Sequence, residues 1–141
     1  MATTDVNQSA QNDKYRALYG EYLEHCNAHN FEGMRSFYTD PLNVEGKPLA
    51  PDTVTSQFEP LVAAFPDWHW ELKHITIEGD YLSCHFTVTG THKGEFRGHQ
   101  PTGRKFAVTE FTLYRVVDGK FADVWDVVDF SSLIEQIQEQ A

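Results

Sequence analysis

Asp126 stands in the run Val124-Trp125-Asp126-Val127-Val128-Asp129-Phe130, the most strand-like stretch of the chain, among large apolar neighbours. An ionised carboxylate placed there without partners costs several kcal/mol, so it is hydrogen-bonded, held with a raised pKa, or facing a wet cavity. Each condition suits a general acid or base, which works best with a pKa near the ambient pH. Glu110 lies one strand earlier in "KFAVTEFTLYRVV". If the two carboxylates meet, each raises the other's pKa and one can stay protonated as an acid. A strand aspartate also serves as a rim residue or a hydrogen-bond anchor, and Asp129, just before Phe130-Ser131-Ser132, fits a turn or helix cap.

Whether they meet depends on register. Asp118-Gly119 is the strongest hairpin signal in the chain, and a two-residue turn there pairs Val117 with Lys120. Counting outward, Asp126 then falls opposite Phe111. A bulge shifts the pairing by one and brings Asp126 beside Glu110 or Thr112, so both registers stay open.

The elements that hold this hairpin read clearly. Residues 1–11 are small, polar and aperiodic and read as a frayed tail, with one domain over 12–141. From Asp13 a helix is expected, because Tyr15, Leu18, Tyr19, Tyr22, Leu23 and Cys26 follow its period. A short helix follows through Phe31, Met34 and Phe37, then a loop at "DPLNVEGKPLAPD" with room for a short strand. A third helix runs from Pro51 towards Phe65 with a kink near Pro60. After Pro66 the period drops to two: Trp68, Trp70 and Leu72 alternate with polar residues, and Leu82, Cys84, Phe86 and Val88 share a face. A final helix begins near Ser131. Helices first and long antiparallel strands afterwards define an α+β fold, a bent sheet packed on N-terminal helices and enclosing a pocket.

Composition narrows the partners. Eleven basic against 21 acidic residues leave a formal charge of -10, which repels nucleic acid and anionic membrane surfaces. No apolar run spans a bilayer and the N-terminus lacks a signal pattern, so a cytoplasmic protein is expected. Cys26 and Cys84 read as reduced core thiols. His85, His92 and His99 recur every seven residues without any metal-ligand spacing, so no metal is expected. His92, at a strand end, is placed at a pocket mouth. Tyr15, Tyr19, Tyr22, Phe37, Phe58 and Phe65, with Phe111 and Trp125, supply walls for a flat apolar ligand, and the hydroxyls of Tyr19 and Tyr38 suit a carbonyl.

The segments "GTHKGEFRGHQPTGRKF" at 90–106 and "LYRVVDGKFADVWDVVDFSSLIEQI" at 113–137, with "AAFPDWHWE" before them, resemble the SnoaL-like polyketide cyclase family of the nuclear-transport-factor-2-like superfamily. The resemblance covers about residues 13 to 138. It implies a cone-shaped α+β barrel, a deep apolar pocket, no cofactor, a small hydrophobic substrate, and a homodimer through the outer sheet face. It also implies an intramolecular aldol ring closure in which Asp126 takes a proton from carbon. The family motif has histidine where Thr112 stands and glutamine where Glu110 stands. Thr112 cannot supply an imidazole, and a second carboxylate opposes an enolate's charge unless it is protonated. The Asp126 and Glu110 pair therefore suits proton shuttling, as in an isomerase, as well as ring closure. A non-catalytic binding domain of the same fold is the alternative.

Overall fold

The computed structural model describes residues 2–138, and the side chains of residues 7–138. Helix α1 (Ala2–Asn27) precedes the short α2 (Phe31–Arg35), strands β1 (Tyr38–Val44) and β2 (Lys47–Leu49), and helices α3 (Pro51–Ser56) and α4 (Glu59–Ala64). Strands β3 (His69–Glu78), β4 (Tyr81–Thr91), β5 (Lys105–Val117) and β6 (Lys120–Val128) follow, and α5 (Phe130–Ile137) comes last.

Three expectations need correction. The helix begins at Ala2 rather than Asp13, so residues 2–11, read as a tail, are helical. Hydrogen bonds tie it down: Gln11 Nε2 and the Tyr15 hydroxyl both donate to Asp80 Oδ1, at 2.9 and 2.6 Å. The expected third helix is two helices, α3 and α4, separated at Gln57 and Phe58. Glu59 and Pro60 open α4, where a proline needs no N–H partner, instead of kinking one continuous helix. The loop after Tyr38 holds two strands, and β1 joins β6 in parallel.

The six strands form one open sheet in the order β2-β1-β6-β5-β4-β3, antiparallel except at β1–β6. Its inner face carries Leu82, Cys84, Phe86 and Val88 from β4 and meets Tyr19 and Tyr22 of α1 in a cluster of aromatic rings. Tyr22 and Phe121 lie edge to face at 4.9 Å, and Tyr114 and Phe121 pack at 4.8 Å. Phe65, Trp68 and Phe86 are at most 2 % exposed, and burying such a ring contributes about 2–3 kcal/mol. Asp129 caps α5, its Oδ1 accepting from the Ser132 N–H at 3.0 Å.

The β5–β6 hairpin decides what faces the pocket. Asp118 and Gly119 both have positive φ, 50° and 76°, as a two-residue primed turn requires, and Val117 pairs with Lys120. Val116 then pairs with Phe121 but Arg115 with Asp123, so Ala122 is absorbed in a bulge. From there Thr112 pairs with Asp126 and Glu110 with Val128. The bulged register is the one adopted, and it turns Asp126 to the inner face with Glu110 and Thr112.

Candidate active site

A cavity of about 130 Å³ lies between the inner sheet face and the helices. Tyr19, Tyr38, Phe58, Glu110, Thr112 and Asp126, all expected from sequence, line it together. Tyr22, Trp68, Trp70, Phe86, Tyr114 and Phe130 complete much of the wall.

Glu110 holds the sheltered position. It is 7 % exposed, and each carboxylate oxygen accepts one hydrogen bond: Oε1 from Trp70 Nε1–H at 3.0 Å, Oε2 from the Thr112 hydroxyl at 2.6 Å. Burial pushes its pKa up from 4.5 to about 7, the two hydrogen bonds hold it back, and the nearby charge of Asp126 adds to the rise. Trp70 is itself fixed by Asn27 at the end of α1, which accepts from its backbone N–H at 2.8 Å and donates to its carbonyl at 3.0 Å. Helix α1 thereby sets the indole that grips the acid.

Asp126 lines the same cavity at its mouth, and its side chain is solvent-exposed rather than enclosed. Strand β6 ends two residues later, so less protein covers it than covers Glu110 in mid-strand. Its pKa is raised, first by the partial loss of solvent, then by Glu45, while its own backbone N–H pulls the other way. Glu45 sits in the β1–β2 turn, its backbone N–H bonded to the Val124 carbonyl at 2.9 Å. Arg115 pairs with Asp123 at 2.6 Å, and among the described residues Asp126 is in no ion pair.

Two expected residues lie elsewhere. Trp125 is one step from Asp126, so the two-residue period throws it to the outer face opposite Leu113. His92 is fully buried away from the cavity, packed on Phe65 at 5.5 Å between ring centres, with Nδ1 3.1 Å from the Thr102 hydroxyl. It anchors the 92–104 loop instead of facing a pocket mouth. Phe111, considered as a wall, also points outward and is 56 % exposed. Trp70 and Tyr114 escaped the site reading. Trp70 was legible as an inward residue of β3, and Tyr114 shares the β5 face of Glu110 and Thr112, but their partners lie 40 and 95 residues away.

Burial pushes the Cys26 and Cys84 thiols up to about 12, which leaves them neutral and unreactive. Among the described residues no group of three or more His, Cys, Asp or Glu side chains is placed to hold a metal ion. No described helix is long and apolar enough to cross a membrane.

The model of the SnoaL-like polyketide cyclases matches residues 16–137, and the chain belongs to that family, within the nuclear-transport-factor-2-like superfamily. It is similar to the nogalonic acid methyl ester cyclase of Streptomyces nogalater, 34% identical over 68 residues, which are 47% of this chain and 51% of that protein. The chain thus spans about half the length of this curated relative. Among solved structures, AclR of Streptomyces galilaeus, which carries a provisional hydroxylase assignment, is 31% identical with a TM-score of 0.78, covering 86% of this chain and 93% of its own. A SnoaL-like polyketide cyclase from Agrobacterium tumefaciens shares the fold, with a TM-score of 0.73 at 24% identity over 90% of this chain and 97% of its own.

Proposed function

We propose that this protein is a polyketide cyclase working by acid/base catalysis, with its two carboxylates in opposite roles. The observation that carries the reading is Glu110: a buried acid whose pKa is pushed up to about 7, hydrogen-bonded to Trp70 and Thr112, on the same pocket face as a second, solvent-exposed carboxylate. A sheltered acid beside a solvent-exposed one suits a division into a proton donor and a base.

Asp126, ionised at the mouth, takes a proton from the carbon between two carbonyls. The enolate carbon attacks a second carbonyl of the same molecule, forming the ring bond, and the new alkoxide needs a proton. Glu110 supplies it. Trp70 Nε1–H can only donate, so protonated Glu110 carries its hydrogen on Oε2, facing the Thr112 hydroxyl. Thr112 then accepts from Glu110 and donates to the substrate oxygen, filling the donor place that a histidine has in the family motif. A protonated Glu110 removes the conflict of a second negative charge beside the enolate. One proton is taken and one returned, so the ring closure is balanced without a co-reactant.

The substrate is expected to be a flat, carbonyl-bearing, polyketide-like molecule. Nogalonic acid methyl ester, named for the Streptomyces nogalater relative, is the first compound to test. Ring closure followed by liquid chromatography and mass spectrometry is expected for the wild type across that ester and a panel of linear poly-β-ketones, and lost in Asp126→Asn. Equal rates for wild type and Asp126→Asn on any compound turned over would remove the assignment.

A homodimer through the outer sheet face belongs to the same proposal. That face presents Tyr81, Phe111, Leu113, Trp125 and Val127, all at least 36 % exposed and without charge, and an apolar patch of this kind marks an interaction surface.

A further inference from the structure

Four tyrosines line the pocket, and their hydroxyls meet in two pairs: Tyr19 with Tyr114 at 3.1 Å, and Tyr22 with Tyr38 at 2.6 Å. All four are at most 7 % exposed. A phenol has one proton to donate. In each pair one hydroxyl donates and the other accepts, so the accepting tyrosine keeps a proton that its pair cannot use, whichever way the pair is turned. Among the described residues these hydroxyls make no further hydrogen bond to oxygen or nitrogen, and Tyr22 and Tyr19 meet only the thiols of Cys26 and Cys84. The acceptors beside them are the sulfurs of Cys26, next to Tyr22, and Cys84, next to Tyr19, and thiol sulfur accepts weakly.

Trp68 adds a third donor. It lines the same cavity, is 2 % exposed, and its Nε1–H has no partner. The one buried carboxylate in the wall, Glu110, is already engaged on both oxygens. The cavity wall as a whole therefore offers more free donors than free acceptors. An alcohol or amine entering the cavity would bring further donors, whereas a ketone oxygen brings only lone pairs.

We infer that the two tyrosine pairs form a cradle for a carbonyl oxygen of the ligand, so that the pocket selects a ketone over the alcohol or hydrocarbon of the same shape. Inward side chains alternate along β5, and Tyr114 is four residues from Glu110, about 14 Å along the strand. A carbonyl held by the tyrosines leaves the rest of the molecule running towards Thr112, Glu110 and Asp126. Only that orientation rests on the proposed function. The ketone preference is a property of binding.

Acetophenone, 1-phenylethanol and ethylbenzene share one carbon skeleton, and their single ring is small enough to enter a cavity of about 130 Å³. Their affinities are compared by ligand-observed NMR for the wild type and for two double variants that empty one pair each, Tyr22→Phe with Tyr38→Phe and Tyr19→Phe with Tyr114→Phe, each first checked for an unchanged thermal midpoint. The carbonyl stretch of bound ¹³C-acetophenone reports hydrogen bonding to its oxygen. The ketone is expected to bind about 2- to 12-fold more tightly than the hydrocarbon per hydrogen bond gained, with a lowered carbonyl stretch. Each double variant, which removes the spare donor of its pair, should reduce that ratio and raise the stretch while leaving ethylbenzene affinity within about twofold. Equal binding of ketone and hydrocarbon, tighter binding of the alcohol, or a stretch unmoved in both double variants overturns the cradle.

Glu110→Gln and Asp126→Asn separate this inference from the catalytic one. If both variants keep the ketone preference while the wild type turns nothing over, the cradle stands and the cyclase reading falls. If the preference is absent while both variants lose turnover, only the cradle falls.

Discussion

Replacing Glu110 by glutamine keeps the shape and both hydrogen-bonding positions of the side chain, since an amide oxygen can accept from Trp70 and its NH₂ can meet Thr112, but removes the titration. Unfolded, Glu110 ionises near 4.5; folded, near 7. Between those values the native state holds a proton that the unfolded state has released, so wild-type stability falls as pH rises from about 4.5 to 7 and is level above. The whole penalty, present at pH 8, is about 3 kcal/mol. Glu110→Gln lacks it. In paired urea titrations followed by tryptophan fluorescence, the variant should gain about 3 kcal/mol on the wild type between pH 4 and pH 8, or about 10 °C in thermal midpoint. Every other ionisable group is common to both proteins and largely cancels in the difference. A stability difference that is the same at pH 4 and pH 8 would show that Glu110 carries no raised pKa, and the acid role assigned to it would go too.

The same residues fix the pH dependence of turnover: kcat/KM should rise as Asp126 ionises and fall above about pH 7 as Glu110 loses its proton, with the upper limb absent in Glu110→Gln. Trp70→Phe removes a donor that favours the ionised form of Glu110, so that limb should move to higher pH in a rate profile. Asp126→Asn should keep the fold, lower turnover by about 10²- to 10⁴-fold, and shift the Glu110 titration, read by carboxyl ¹³C NMR, to lower pH because a neighbouring charge is gone. Val127→Glu puts a charge on the exposed outer patch beside Phe111, at a residue that is 72 % exposed; light scattering should then report a monomer in place of the proposed dimer, with the thermal midpoint little changed.

Much of the fold was legible because its signals are local. The helical stripe from Tyr15 to Cys26, the alternation in β4 and the Asp118-Gly119 turn each arise from a few consecutive residues, and each stands in the structure. The tail reading failed because composition describes what residues 1–11 lack, whereas Asp80, nearly 70 residues on, supplies hydrogen-bond acceptors to Gln11 and Tyr15. The Trp125 and His92 readings failed on direction. A strand residue belongs to one face or the other, and His92 is turned inward by a loop that closes on it through Thr102 and Arg104.

Sequence by itself determined that two carboxylates sit in neighbouring strands of an α+β domain, with enough aromatic residues to wall a pocket, because period, turn chemistry and composition are properties of short segments. Only the tertiary structure decided which carboxylate is sheltered. One bulged residue, Ala122, turns Asp126 to the inner face. Burial beneath Trp70, itself held by α1, lifts Glu110 rather than Asp126 towards pH 7. Desolvation is a sum over everything packed around a group, and most of what surrounds Glu110 comes from distant parts of the chain.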